Sequence, residues 1–459
     1  MAHLVIVGNG IAGITTARHV RKRSDMRITV ISAETDHFFS RTALMYIYMG
    51  HMTFDHTKPY PDHFWPKNDI ELIRAWVERV DTEAKAVHLA DGRTIAYDTL
   101  VLATGSKSNK FGWPGQDLPG VQGLYAYPDV ELLEENTRNC SRAVIVGGGL
   151  IGIELAEMLQ SRGIAVTFLV REQFYWNNIL PNDEARLICR HIREHGIDLR
   201  LGVNLKEILP GDDGRVRAVT IAETGEEIPC QVVGLTPGVH PNIDLAKASG
   251  IDTGRGILVN DYLETAIPDV YSAGDCAEIV VPDGERNRVE QLWYTGRMQG
   301  LALAATICGK RTPYERGIWF NSAKFIDIEY QTYGFVANQP RDGESSFYWE
   351  HPGKRHCLRI VYRDADRSVV GINVFGMRLR HPLCERWIRE RRTVEHVIAH
   401  LSDAHFDPEF FRRHERDIIA AFNREHGTTI VPKRRSGFLQ RFFGGPAAGQ
   451  TSHLRDRGN

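Results

Sequence analysis

Two glycine-rich turns carry the residues of this 459-residue chain whose types and spacing suit chemistry. The first is Val5-Ile6-Val7-Gly8-Asn9-Gly10-Ile11-Ala12-Gly13, an apolar run that reads as a buried strand and breaks into glycines opening a helix. Gly8 suits the tight turn and Gly10 the approach of backbone N–H groups to a pyrophosphate. Gly13 lets the helix, with Ala12 in its first turn, lie close on the sheet with its positive end toward phosphates. Arg27–Ile31 reads as the next strand, and Glu34 follows where a carboxylate binds a ribose hydroxyl.

The second turn repeats the design. Arg142–Val146 leads into Gly147-Gly148-Gly149-Leu150-Ile151-Gly152-Ile153-Glu154, then a helix to about Arg162 and a strand over Ala165–Val170. Two such units in one chain predict two dinucleotide sites. Gly147, Gly149, Ile151 and Gly152 are the candidate contacts of the second. Its strand ends in Val170-Arg171-Glu172. Arg171 can accommodate a 2′-phosphate and leans the reading slightly toward NADPH, against an ordinary surface ion pair with its neighbour.

Other segments must bring further groups to these turns. Arg41 can pair with a pyrophosphate as a two-pronged donor or stand solvated on the surface. A meander of Ala75–Val80, Ala86–Leu89 and Thr94–Tyr97 supplies Val77. The buried strand before Ala103-Thr104-Gly105 ends in small residues that suit a close ligand. Gly238, in a Pro/Gly loop after a buried strand, suits a wall of a nicotinamide site. A strand over Thr265–Asp275 ends in Gly274-Asp275, whose carboxylate is placed for a polyol. A helix from about Gln291 to Ile307 has Glu290, Gln291 and Trp293 at its N-terminus, where the dipole would stabilise a reduced flavin anion; an ordinary buried helix with a capping glutamate is the competing view.

The composition sets the frame. Length allows two to four domains, and 42% hydrophobic with 25% charged residues is ordinary for a globular protein. A net charge of −2 gives nucleic acid no electrostatic reason to bind. No apolar run reaches membrane-spanning length and no signal-peptide pattern opens the chain. Seven scattered cysteines fit reduced thiols and a cytoplasmic setting. His356-Cys357 with His381 and Cys384 could in principle form a four-ligand zinc site, but the spacing is no recognised knuckle and no metal is expected.

Turn formers at Trp113-Pro114-Gly115 mark a domain crossing, and Trp319 begins a third, α+β unit. That unit is read as strands at Phe347–Trp349, Cys357–Tyr362 and Val369–Phe375, then helices over Pro382–His400 and Pro408–Glu425. A mobile basic tail follows, with aromatic residues at 433–443.

The ordered set Gly8/Gly10/Gly13 with Glu34, Ala103-Thr104-Gly105, Gly147/Gly149/Gly152 with Glu154, and Thr265–Asp275 resembles the FAD-dependent pyridine nucleotide oxidoreductases of the glutathione reductase structural class. The likeness covers about residues 1–310. It implies an α/β fold of two Rossmann-like domains plus a C-terminal α+β interface domain. The FAD domain would be 1–112 and 250–312, with the NAD(P) domain, 113–249, inserted and the interface domain over 313–425, often used for dimerisation. Within that class the chain looks closest to the branch that works without thiols, which includes ferredoxin, rubredoxin and nitrite-reductase-type reductases. Phe38–Met45 holds no cysteine where the disulfide reductases and the coenzyme A branch carry theirs.

By this resemblance the chain passes hydride from NAD(P)H to FAD and then electrons to an external acceptor, a small iron–sulfur protein or a small molecule. Glu154 is the candidate catalytic residue, standing near the nicotinamide and orienting the carboxamide or a nearby cation. A type 2 NADH:quinone oxidoreductase would need a membrane-binding C-terminus. A redox-sensing flavoprotein with little turnover is the alternative outside catalysis.

Overall fold

The computed structural model describes residues 1–280, 288–406 and 412–432. The first glycine turn lies between β1 (His3–Val7) and α1 (Ile11–Arg21), followed by β2 (Arg27–Ser32), β3 (Ile70–Arg74) and β4 (Thr99–Leu102). The second set comprises β5 (Val121–Gln122), β6 (Arg142–Val146), α2 (Leu150–Ser161), β7 (Ala165–Val170), α3 (Asn182–Glu194), β8 (Asp198–Leu201) and β9 (Val232–Leu235). The chain then returns with β10 (Val270–Ser272) and α4 (Trp293–Ile307).

Two parallel sheets result, ordered β10-β4-β1-β2-β3 and β8-β7-β6-β9-β5. Parallel strands covered on both faces must be apolar throughout, and Leu4–Val7 and Ala143–Val146 are accordingly buried. In each sheet the glycine-turn strand is central, so its helix starts at the carboxyl edge where the strand order reverses. A two-stranded ribbon, Ser106–Ser108 against Val239–Pro241, runs between the two sheets.

Small residues let helices press together. A Cβ on Gly300 of α4 would lie 2.7 Å from the Ala12 carbonyl oxygen of α1. The third unit is an antiparallel sheet of β11 (Phe320–Phe325), β12 (Ile328–Gly334), β13 (Glu344–Glu350), β14 (Cys357–Arg363) and β15 (Val369–Phe375), in the order β11-β12-β15-β14-β13. One apolar core joins all three parts, with Phe39 and Met45 from the first, Phe168 and Ile188 from the second, and Phe325 and Phe375 from the third. Buried Arg359 of β14 crosses the same boundary to Asp183 and Glu184 of α3, at 2.7 Å each.

Several boundaries differ from the sequence reading. The helix expected over Pro382–His400 is two, α5 (His381–Arg389) and α6 (Val394–Ala399), because Arg391 takes a left-handed φ of 53° and Thr393 caps a new start. The strand expected over Thr265–Asp275 is only Val270–Ser272, since Pro268-Asp269 turns with Asp269 at φ 63°. The last helix is α7 (Glu415–His426); residues 407–411 of the expected span, and the basic tail with its 433–443 patch, lie outside the described residues. Among the described residues no helix is long and apolar enough to cross a membrane.

Candidate active site

A cavity of about 870 Å3 opens where the two glycine-turn helices meet. That is near the upper end of small-molecule and cofactor sites. Gly8, Gly10, Ile11 and Ala12 of the first turn form one wall, and Ile151 and Glu154 of α2 form another. Gly8 has φ +115°, and a Cβ there would lie 2.0 Å from the Ala103 carbonyl oxygen. Gly13 lies beneath, where a Cβ would meet the Gly8 carbonyl oxygen at 2.1 Å. Gly10 is different: nothing stands within 4 Å of its missing Cβ, so the open space there is the cavity itself. No side chain caps α1, which leaves its first N–H groups and dipole available to an anion.

The polar fittings of this cavity are already paired to protein. Glu34 receives both Arg41 Nη1 and Nη2, at 2.9 and 2.6 Å, and its Oε1 also accepts the Tyr127 N–H at 2.8 Å. Arg41 further donates to the Tyr125 carbonyl at 2.7 Å, so this pair is part of the wall rather than a solvated surface cation. Asp275 Oδ2 accepts from Ser106 Oγ and from the Tyr125 hydroxyl, at 3.1 Å each, and Gln291 donates to Ser106 Oγ at 2.7 Å. Asp275 Oδ1 carries no hydrogen bond among the described residues, and burial pushes its carboxyl above the usual range. Val77, Ala103, Thr104, Gly105, Gly274 and Trp293 complete the lining named from sequence. The N-terminus of α4, uncapped by a side chain, faces the same space through Gln291, Leu292 and Trp293.

Glu290 is a correction. It does not line the cavity; it is buried, accepting from the Tyr314 hydroxyl at 2.6 Å and lying 3.4 Å from Arg316. The helix starts three residues later, at Trp293, and aims Glu290 into the packing behind it. Tyr125, Ser106 and Trp76 belong to the wall without a sequence signal, beside Thr42 and Met45 of the cysteine-free segment. No motif marks them: Ser106 opens the ribbon strand, Thr42 and Met45 lie in short helical turns, and Tyr125 sits in the linker before Tyr127.

The second turn has the same construction. Gly147 has φ +117° and a Cβ there would lie 2.5 Å from the Thr236 carbonyl oxygen; one on Gly152 would lie 2.8 Å from that of Gly147. Gly149 has open space and no side chain caps α2. These three glycines, with Arg171 and Gly238, are not part of the cavity wall. The Gly238 carbonyl accepts the Asn109 N–H, and its neighbour Val239 lines the cavity. Arg171 is exposed and its Nε donates to Glu172 at 2.8 Å.

Glu154 occupies a second wall as well. A larger cavity, about 1370 Å3, lies on the other side of Glu154, Thr42 and Met45, against β12 and α5. Burial first, then the charge of Glu157, pushes the Glu154 carboxyl up to about 7, while Lys324 opposes the shift. Lys324 is itself held by Glu157 at 2.7 Å. None of the seven cysteines lines either cavity, and all are free. The two His/Cys pairs do not assemble: Cys357 is packed in the shared core, Cys384 in the separate core under α5. His356 faces His351 and His414, and His381 stacks on Tyr333.

The family model described as pyridine nucleotide-disulphide oxidoreductase matches residues 2–300. A ferredoxin–NAD(P)+ reductase of a Sphingomonas species is 31% identical over 79% of this chain and 90% of its own length. The electron transfer subunit of the Bacillus subtilis assimilatory nitrate reductase is 29% identical over 81% of the chain, which spans about half (47%) of that relative. Among solved structures, a NAD-dependent persulfide reductase from A. fulgidus superposes with a TM-score of 0.81 at 23% identity, covering 93% of this chain and 84% of that one. That likeness speaks for the fold alone.

Proposed function

This chain belongs to the pyridine nucleotide-disulphide oxidoreductase family, and on that premise we propose that it is an FAD-dependent NAD(P)H oxidoreductase delivering electrons to a separate small redox protein without a cysteine relay. The observation that carries this reading is the single cavity walled by both glycine-turn helices, with no cysteine in its lining. FAD, when bound there, supplies the hydride acceptor and the onward electron donor.

The chain's own residues bind and orient. The uncapped start of α1 and the missing side chain of Gly10 receive the pyrophosphate. Glu34, fixed by Arg41, keeps a lone pair on Oε2 for an adenosine ribose. Asp275 Oδ1 serves the ribityl chain, and the α4 N-terminus stabilises negative charge at the pyrimidine edge. The turn at Gly147–Gly152 receives the nicotinamide nucleotide, with Glu154 at the meeting point of the two sites. Arg171 gives a slight preference for NADPH once it leaves Glu172. We assign the discontinuous segment 1–112 with 250–312 to FAD, 113–249 to NAD(P)H and 313–425 to an interface unit that can serve a homodimer. Seven free thiols fit a reducing, cytoplasmic setting.

The name of the Sphingomonas relative, a ferredoxin–NAD(P)+ reductase, supports an iron–sulfur acceptor. One observation favours a small-molecule acceptor instead: the larger cavity reaches Glu154 from the far side. An anaerobic titration with NADH and NADPH, followed by a screen of ferredoxins, rubredoxins and quinones, tests the proposal. Rapid multiple turnover with an iron–sulfur protein is the expected result. A reduced flavin that every acceptor leaves reduced contradicts it and indicates a redox sensor.

A further inference from the structure

His191, His195 and Asp327 come together away from both cavities, on α3 and in the β11–β12 turn, with one potential ligand atom from each within 4.8 Å of the others. We propose that this cluster is a binding site for one divalent transition-metal ion of the Zn2+ class, tying α3 to the C-terminal sheet.

Three features carry the assignment. First, His191 and His195 are four residues apart on one helix, so their rings project from one face and lie 4.4 Å apart between centroids. Second, their hydrogen-bonding prepares ligand atoms. His195 Nδ1 is 2.9 Å from the His191 carbonyl oxygen, to which only a protonated nitrogen can donate, so the neutral ring keeps its lone pair on Nε2. Asp327 divides its oxygens: Oδ2 is held by Arg355, while Oδ1 lies 2.6 Å from His191 Nε2 and 3.9 Å from His195 Nε2. These two separations bracket the ~3.3 Å edge of a tetrahedron with metal–ligand bonds near 2.0 Å. Arg355 thus takes the place of the outer partner that orients a ligating carboxylate.

Third, His191 is 1% exposed, its Nδ1 makes no hydrogen bond, and its Nε2 faces Asp327 Oδ1 at 2.6 Å. A metal held between Nε2 and Oδ1 gives this buried imidazole and the carboxylate a shared partner. His195 and Asp327 are partly exposed, at 30% and 53% of their side chains, so an ion can enter from solvent. Two imidazoles and one carboxylate select Zn2+ or a neighbouring first-row ion over Ca2+ or Mg2+, and leave a fourth position open to water.

The test uses the full flavin-loaded chain, stripped with chelator and titrated with Zn2+ against a chromophoric competitor and with Co2+ for ligand-field bands beyond the flavin absorption. One equivalent of Zn2+, a rise in Tm on binding and Co2+ bands are expected. Asp327→Asn and His195→Gln, both at solvent-facing positions, weaken Zn2+ binding more than 10-fold and remove the bands, and Arg355→Gln weakens it by about 10-fold. No saturable Zn2+ binding by the wild type overturns the proposal. So does equal affinity in Asp327→Asn and His195→Gln, which would place the ion on other groups such as surface thiols.

Discussion

Glu154 makes no hydrogen bond among the described residues, although it stands in a wall shared by two cavities. Its carboxyl is pushed from the ordinary 4.5 up to about 7, chiefly by burial. The sign follows from linkage. Between those values the folded chain holds a proton that the unfolded chain releases, so stability falls as pH rises from 4.5 to about 7, and stays low above. The loss is at most about 3 kcal/mol. Urea unfolding of the flavin-free protein at about pH 5 and pH 8 will show this slope, and Glu154→Gln will remove it. The same variant should slow flavin reduction by about 10-fold or more with FAD affinity unchanged. An unchanged stopped-flow rate takes Glu154 out of the site. Arg171→Glu should lower kcat/KM for NADPH about 10-fold relative to NADH, since it replaces a 2′-phosphate partner by a like charge. An unchanged ratio leaves Arg171 as the surface ion pair with Glu172 that the structure shows.

Wall residues that bear a motif were legible, and those on segments without one were not. Gly8, Gly10, Glu34 and Asp275 follow from spacing because the pyrophosphate and ribose lie at fixed places relative to a strand–turn–helix. Tyr125, which holds Asp275, has no such spacing; only the folded linker puts it there. Glu290 was misread because a helix N-terminus was placed two residues early, enough to rotate a side chain from cavity to interior.

At the scale of elements, the glycine turns offer a comparison that separates folding from binding. Gly10 and Gly149 have φ of −71° and −117° and open space at Cβ, so an alanine fits either without strain. Gly10→Ala should leave the apoprotein as stable as before, or about 0.5 kcal/mol more so, while FAD affinity falls at least about 10-fold. Gly149→Ala should spare FAD and raise KM for the nicotinamide nucleotide. Gly8→Ala, with its 2.0 Å clash and φ +115°, should instead lower Tm of the apoprotein. Thermal unfolding and flavin fluorescence titration distinguish the three; equal FAD affinity for Gly10→Ala and wild type contradicts the assignment. Elements with a strong apolar pattern were readable end to end, as at Ala165–Val170 and Val369–Phe375. The break between α5 and α6 was not read, although Arg389–Thr393 carries no apolar residue and Thr393 is a capping type; the left-handed backbone of Arg391 makes the turn.

For the whole molecule, the core shared by three units makes their relative placement part of stability. The Arg359–Glu184 pair is the polar tie across that core: Glu184 is 0% exposed and Arg359 8%. Arg359→Met strands a buried carboxylate and should cost about 3–5 kcal/mol, and adding Glu184→Gln should recover most of it. Urea unfolding of both variants checks this; additive losses contradict the coupling. That each glycine turn opens a parallel α/β unit could be read from the repeated pattern; the order of strands could not. Contact between α3 and the C-terminal sheet could not either, since it joins residues far apart in the chain, such as Arg190 with Glu350 and Glu184 with Arg359, with no pattern in common.

Hydride transfer requires that nucleotides held by the two turns meet in one cavity. Anaerobic stopped-flow mixing of the flavin-loaded protein with NADPH or NADH measures it directly through loss of the oxidised-flavin absorption. Saturable, single-turnover bleaching that follows nicotinamide concentration and slows in Glu154→Gln is expected. A flavin that stays oxidised with both nucleotides, in a folded protein shown to bind them, would contradict it.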